Sequence, residues 1–500
     1  MGDLITNLGL GFQVALSLDN LLFALLGCVI GTAIGVLPGI GPVATISLLL
    51  PITFGQPATT AIIMLAGIYY GAQYGGSTTA ILLNLPGEVS SVVTTLEGYK
   101  MARNGRAGAA LATAALGSFF AGTVSTILVA ASGPLLTQVA LSFGPADYFS
   151  LMLLGLIISA VLAQGSVTKA IGMVVLGVSL GLVGTDVQTG QQRFTFGIPE
   201  LSDGIGFVSI AMGMFGIAEI ILNLERPESR NVLSSKVGSL FLTRAEFMRA
   251  TPAVLRGTAL GSVLGILPGG GAALAAFGSY MLERKVSKYR HEFGTGAIEG
   301  VAGPEAANNA ASQTSFIPLL TLGIPANAVM ALMVGALIIQ GIQPGPRMVE
   351  AQPDLFWGLI ASMWVGNLML LIINLPMIGI WVKLLQVPYK YLYPSILIFC
   401  AIGVYSLNNN VFDVYQTLFF GLFGYFCSKV KLEAAPMLIG FVLGPMMEEH
   451  LRRAMLLSRG DPMVFVERPI SGTLLAIGAI ALGAMLLPGL RKGKDKALAE

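Results

Sequence analysis

The sequence predicts an all-α polytopic membrane protein with two inverted-topology repeats, re-entrant hairpins and broken helices. Three observations predict it. Charge is scarce, apolar runs are long, and a pair of Gly-Pro motifs occurs twice.

Of the 500 residues, 54% are hydrophobic and 11% are charged, whereas soluble domains carry about 25% charged residues. So few charges cannot cover a core with water-compatible surface, and the mean hydropathy of +0.79 agrees. The solvent is lipid. A spanning helix needs roughly 20 apolar residues, which leaves room for about ten to twelve membrane segments. The runs lack the period-2 alternation of barrel strands, which leaves helices. Apolar stretches near 20–37, 107–131, 147–164, 167–184, 203–224, 252–267, 354–382, 393–408, 411–428, 432–447 and 470–487 read as helices or half-helices. Most of the 63 glycines read as small residues that let helices pack closely.

Several functions lose support at once. The net charge of +2 identifies no partner, and no nucleic acid is expected. Cys28, Cys400 and Cys427 lie singly in apolar segments, without metal or disulfide spacing. No Walker A or HExxH sequence is present, and no cofactor is expected. MGDLITNLGL has no basic cluster before its apolar run, so a cleavable signal is not expected.

The repeat is the most informative feature. GTAIGVLPGIG (31–41) matches GSVLGILPGGG (261–271) at a constant offset of 230. ILLNLPGE (81–88) is echoed by LLTLGIPA (319–326), with Pro86 matching Pro325. A polar stretch precedes each, QYGGSTTA (73–80) and ANNAASQTS (307–315). Basic residues report the relative orientation. PITFGQPATT (51–60) has no charge, whereas ERKVSKYRHE (283–292) has four basic residues besides its histidine. After the second motif the bias reverses, with Lys100, Arg103 and Arg106 in the first copy against Arg347 in the second. Equivalent loops with opposite signatures are what inverted repeats predict. This places 51–60 and 341–356 outside, and 97–106 and 283–292 in the cytoplasm.

Basic residues flank 251–283 on both sides, so this segment is expected to enter the membrane and return, with 267–271 as its tip. By inversion, 37–41 is the tip of a hairpin entering from outside. The expected organisation is a first repeat 1–131, connecting scaffold helices 132–224, and an interfacial amphipathic linker 225–250. A second repeat 251–346, C-terminal scaffold helices 347–490 and a polar tail 491–500 follow. One loop resists this scheme. A cytoplasmic tail puts 448–468 outside with Arg452, Arg453, Arg459 and Arg468, against the basic-residue rule.

Broken backbone in hydrocarbon is tolerated where it lines a wet cavity or binds ions. Helix N-termini at a break suit anions, and freed carbonyls suit cations. The expected substrate-binding set is therefore Pro38, Gly39 and Gly41 with Ser77, Thr78, Thr79 and Asn84 in the first half. In the second half it is Pro268, Gly269, Gly270 and Gly271 with Asn308, Asn309, Ser312, Thr314 and Asn327. Hydroxyls and amides suit carboxylate recognition and ligation of Na⁺, which is expected near the same loops. Buried acids in membranes are functional candidates, and Glu299 and Glu305 are the ones expected to couple a cation. His291 and His450 lie in polar stretches, so sodium is favoured over a histidine proton relay.

The motifs GTAIGVLPGIGPVATISLLLP (31–51), YGGSTTAILLNLPGE (74–88), GILPGGGAALAAFGSY (265–280) and GPEAANNAASQTSFIPLLTLGIPANAVMALMVGALIIQGIQPGP (303–346) resemble the large membrane subunit of the tripartite tricarboxylate transporters, the TctA family. The resemblance covers nearly the whole chain. It implies a multi-pass permease of the bacterial inner membrane, working with a small membrane subunit and a periplasmic solute-binding protein. It implies uptake of citrate or other tri- or dicarboxylates, or of another small organic anion, with cation coupling, usually Na⁺. An elevator mechanism is expected from the hairpins and by analogy with other re-entrant-loop transporters. The alternatives are a channel or ion exchanger of similar architecture, and an intramembrane enzyme. The enzyme reading has no nucleophile–base pair and no aspartate pair in the apolar helices to support it.

Overall fold

The computed structural model describes residues 2–37, 41–163, 166–186, 189–225, 239–267, 271–384 and 389–486. Pro38, Gly39, Pro268, Gly269 and Gly270, half of the expected linker (226–238) and the polar tail lie outside the described residues. Of the described residues, 81% are helical, and the described strands form one small antiparallel hairpin, Gly184–Thr185 with Gln192–Arg193. It is an all-α membrane protein. Five described helices are long and apolar enough to cross a bilayer: Leu18–Val36, Val89–Leu136 (counted as one continuous helix), Pro145–Leu162, Phe207–Glu225 and Pro353–Asn374.

The two halves repeat one local pattern. In the first, Leu18–Val36 runs to a tip and Pro42–Thr53 returns from it. Pro42 opens the returning arm, where its missing N–H has no intrahelical partner to lose. Ala58–Leu83 follows and stops at Asn84, whose φ of 59° is left-handed. The chain is extended at Glu88, and a new helix runs through Val89–Ser91 and Val92–Met101. In the second half, Arg244–Ile266 and Gly271–Val286 form the hairpin. Glu299–Thr314 and Phe316–Leu322 then run to Gly323, with φ 73°. Asn327 is extended and opens Ala328–Ile339. Left-handed residue, proline and extended N-cap recur as Asn84, Pro86, Glu88 and as Gly323, Pro325, Asn327, each pair 239 positions apart.

Glycine makes this packing possible. A Cβ on Gly27, Gly31 or Gly35 would lie 2.3–2.4 Å from the carbonyl oxygens of Met64, Ile68 and Ala72. A Cβ on Gly257, Gly261 or Gly265 would lie 2.2–2.4 Å from those of Gly303, Ala307 and Ala311. Each hairpin's first arm therefore lies backbone to backbone along its own long helix. Residue numbers rise together along both seams, so arm and helix run parallel.

Contacts at the ends fix directions. Thr60 donates to Asn20 at 2.7 Å, and Gln340 donates to the carbonyls of Thr53 and Gln56 at 3.0 and 3.3 Å. At the other end, Asn104 and Lys100 donate to the carbonyls of Thr295 and Gly294, and Arg106 pairs with Glu246 at 2.7 Å. Both ends of the first hairpin thus sit where Ala58–Leu83 begins. Both ends of the second sit where Glu299–Thr314 begins, with Arg256 and Glu283 joining its arms at 2.7 Å. The two broken helices run in opposite directions.

Several expectations change in detail. The Thr243–Glu246 capping box starts the second hairpin's first arm at Arg244, so residues 244–250 belong to a 23-residue helix and not to a linker. At ~35 Å that arm is no shorter than the hydrocarbon core, and the contacts at its ends, not its length, define the hairpin. Ala58–Leu83 is a further long helix, and Ala107–Leu141 runs through the boundary expected at residue 131. The run 354–382 divides after Asn374.

The segment expected as a loop over 448–468 continues the helix Ala434–Leu457 and includes the short helix Val464–Glu467, and ion pairs tie it down. Arg452 pairs with Asp186 at 2.8 Å and Glu448 with Arg193 at 2.8 Å. Arg468 pairs with Asp147 at 2.6 Å, and Arg453 pairs with Glu449. This segment, the start of Pro145–Leu162 and the small β-hairpin therefore share one end of the helical bundle. Large apolar side chains such as Ile480 and Val263 are 70% and 62% exposed, while Glu305 and Asn308 are fully buried. That is the inverse of a water-soluble surface.

Replacing Gly31 or Gly261 by Ala forces a methyl group into a carbonyl, and each change is expected to cost about 1–3 kcal/mol. Gly172 has open space where a Cβ would go, and Gly172→Ala is expected to be neutral. Melting of the purified protein in one detergent compares the three.

Candidate functional site

The polar stretches of both halves are intact helix and fully buried, not irregular backbone. Their hydroxyls satisfy themselves by bonding back one turn. Ser312 donates to Asn308 O at 2.9 Å, Thr314 to Ala310 O at 3.1 Å, and Thr78 to Tyr74 O at 3.5 Å. The breaks fall after these stretches, at 84–88 and 323–327.

Glu305 is the centre of what the two halves build together. Its carboxylate receives Ser77 at 2.6 Å and Thr94, both from the first half, and Asn308 from its own helix at 3.4 Å. Ser118 donates to its carbonyl at 3.3 Å. Asn309 donates to that carbonyl at 3.1 Å and to Ser118 at 2.7 Å. The groups holding this carboxylate are hydroxyls and an amide, and among the described residues no salt bridge reaches it. Beside it is a cavity of about 10 Å³ whose polar lining is Tyr74, Ser77, Thr78, Ser118 and Asn374. That is room for about one water-sized sphere, and no carboxylate fits there.

A second polar group lies at the breaks. Asn327 caps its helix by accepting from Met330 N–H at 3.0 Å, and its Nδ2 meets no acceptor. The Tyr69 hydroxyl faces Ser312, Ser315 and Asn327. Gly271, at φ 58°, brings the second tip to 3.8 Å between its Cβ position and Asn327. In the first half, a Cβ on Gly87 would lie 2.0 Å from Gly35 O. Each break therefore meets the tip of its own hairpin. At the first break the Ser90 hydroxyl lies within hydrogen-bond reach of both Glu88 and the Gln73 amide oxygen, the latter at 2.8 Å, and its one proton serves either.

The remaining expected residues are placed elsewhere. Both oxygens of Glu299 are held by Arg249 at 3.0 Å, at the far end of the helix from the break. Thr79 donates to Val36 O at 2.6 Å and fixes the end of the first arm. Asn84 is exposed, and Gly41 caps the helix from Pro42 with open space around it. His450 is half-buried, stacked on Tyr148 at 5.0 Å.

Sequence reasoning missed Glu97. It is fully buried and receives Tyr280 OH at 2.9 Å, Gly296 N–H at 2.8 Å and Ala297 N–H at 3.0 Å, besides Gly294 N–H. It ties the first half to the loop that opens the second. The lone acid in VVTTLEGYK was a usable signal. So were Asn367 and Asn374, the amides in an otherwise apolar run.

The sequence matches the tripartite tricarboxylate transporter TctA family over residues 21–439. A relative in Agrobacterium vitis, described as an uncharacterized 52.8 kDa protein in the TAR-I ttuC' 3' region, is 60% identical over the full length of both chains. An uncharacterized protein in the TAR-II ttuC' 3' region of Agrobacterium vitis is 61% identical over 240 residues, covering 48% of this chain and 99% of its own. No solved structure matches.

Glu97→Gln places an amide opposite N–H donors and leaves at least one of them unpaired, at a cost of about 1–3 kcal/mol. Hydrogen exchange is expected to quicken at the amides of Gly294, Gly296 and Ala297 and to stay unchanged in Pro145–Leu162. Unchanged exchange at 294–297 counts against the clamp.

Proposed function

The chain belongs to the tripartite tricarboxylate transporter TctA family, and from that premise we propose that it takes up small organic carboxylates, citrate or a related tri- or dicarboxylate, by cation-coupled transport. The family is part of a tripartite system with a small membrane subunit and a periplasmic binding subunit. In the proposed assembly this multi-pass chain sits in the bacterial inner membrane and receives substrate from the periplasmic binding protein.

One observation carries the reading. Two oppositely running broken helices each meet a hairpin tip at the break, and a buried acid of one half is held by hydroxyls of the other. Inverted repeats with discontinuous helices build shared midplane sites in this way. The sidedness follows from the end contacts. Residues 51–60 and 340 share one end, taken as periplasmic, and 97–106 and 283–299 share the other, taken as cytoplasmic. The segment 448–468 is assigned to the periplasmic side, with Arg452, Arg453 and Arg468 paired to Asp186, Glu449 and Asp147. Both hairpins are read as re-entrant.

The substrate's carboxylates are assigned to the breaks and tips, where Asn327 Nδ2 is an available donor. The coupling cation is assigned to the region of Glu305, since Glu299 is already neutralised by Arg249. The hairpins and broken helices, joined across the halves by Glu305 and Glu97, suit a single moving body of an elevator.

The test reconstitutes the chain in liposomes with its small membrane subunit and binding protein. Labelled citrate uptake is expected to require the binding protein and an inward Na⁺ gradient. Ser77→Ala and Asn308→Ala are each expected to lower uptake about tenfold or more, the scale of a lost hydrogen bond to a charged group. Flux that ignores the cation gradient sinks the coupled reading in favour of a channel.

A further inference from the structure

The cavity beside Glu305 has an unusual donor balance. A hydroxyl carries one proton and can accept with its remaining lone pairs. Tyr74 and Ser77 have that proton committed at normal hydrogen-bond length, and Thr78 and Ser118 have only long contacts for theirs. Tyr74 donates to Asn367 at 2.7 Å, Ser77 to Glu305 at 2.6 Å, Thr78 to Tyr74 O at 3.5 Å and Ser118 to Glu305 O at 3.3 Å. Asn374, 5% exposed, uses its Nδ2 on Leu370 O at 2.9 Å and Thr32 at 3.4 Å, while its Oδ1 is buried without a partner. Tyr74, Ser77 and Asn374 Oδ1 therefore offer the cavity lone pairs.

A water there could donate to these oxygens but would find donors only by turning the Thr78 or Ser118 hydroxyl from its long contact. An anion would find no others in this lining and would meet the oxygens of Tyr74, Ser77 and Asn374. A bare hard cation needs oxygen acceptors and no donors, and the fully buried carboxylate one hydroxyl away supplies compensating charge. Among the described residues no group of three or more His, Cys, Asp or Glu could hold a metal ion. The donor set is neutral oxygen beside a single acid, which suits a monovalent ion over a divalent one.

We propose that the cavity lined by Tyr74, Ser77, Thr78, Ser118 and Asn374 is a Na⁺ site, charge-compensated by Glu305. This deepens the transport reading and rests on it for its role in coupling. It also draws in a helix outside both repeats. Asn374 ends Pro353–Asn374, so the ion is held between the repeats and the helix that follows them. A bound ion would pin that boundary, and its release would loosen it.

Binding is measured on the purified full chain, apart from uptake. Thermal melting and ²²Na⁺ binding are followed as Na⁺ replaces choline at fixed ionic strength. The wild type is expected to melt at a higher temperature with Na⁺, saturably. Asn374→Leu is expected to weaken the Na⁺ response by about tenfold or more, the scale of losing a metal-site partner. Asn374→Asp retains an oxygen and is expected to keep the response or strengthen it, which separates loss of a ligand from misfolding. Equal responses to Na⁺ and choline would mean the cavity holds water only and overturn the site. An unchanged Na⁺ midpoint in Asn374→Leu overturns it as well. If Na⁺ drives uptake yet that midpoint is unchanged, the site fails and the transport reading stands. If Na⁺ binding is lost in Asn374→Leu yet wild-type uptake ignores Na⁺, the site stands and the coupling fails.

Discussion

The close approach of backbone to backbone at six glycines governs the rest of the fold. In lipid, apolar side chains gain little by leaving one apolar surface for another, so helices associate through packing and internal polar bonds. Gly27, Gly31 and Gly35 in one half, and Gly257, Gly261 and Gly265 in the other, let each hairpin lie on its long helix with no side chain between. The tips then reach the breaks. Without those contacts the exposed N–H and C=O groups at 84–88 and 323–327 would face hydrocarbon, where each unpaired group costs several kcal/mol.

The polar interior follows from the same constraint. Hydroxyls on Ala58–Leu83 and Glu299–Thr314 bond back to their own helices or to the facing half, and few buried polar atoms lack a partner. Of the eight exceptions among the described residues, Tyr70 OH, Gln313 Oε1, Asn327 Nδ2 and Asn374 Oδ1 belong to the broken helices or to the helix Pro353–Asn374, and the other four, on Arg193, Ser279, Gln416 and His450, lie elsewhere. Buried unsatisfied atoms are costly, and two of them, Asn327 Nδ2 and Asn374 Oδ1, border the second break and the small cavity.

Much of this was legible in the sequence. Scarce charge identified the solvent, and the motifs at 31–41 and 261–271 fall where helices end at Val36 and Ile266. The polar stretches were located, but their conformation was not. The polar residues of QYGGSTTA suggest irregular backbone, yet with back-bonded hydroxyls and Gly75 packed on Thr32 it stays helical until Asn84 turns left-handed. The helix from Ala58 was passed over because its glycines, threonines and Gln73 dilute the hydropathy. Glu97 and Asn374 were missed because their importance lies in partners about 200 and 340 positions away, which no local pattern encodes.

The halves share a backbone plan without sharing their charges. At the 239-residue spacing, Glu305 corresponds to Ala66 and Glu88 to Asn327. In an inverted-repeat frame with identical halves, the conformations open to either side would be related by a rotation and equal in energy. Neither would be preferred at rest. Acids whose counterparts are neutral remove that degeneracy, and the gap they open sets the two populations. In the proposed transport cycle, the resting preference of the empty protein would be set by a few unmatched side chains, on a scaffold otherwise indifferent to direction.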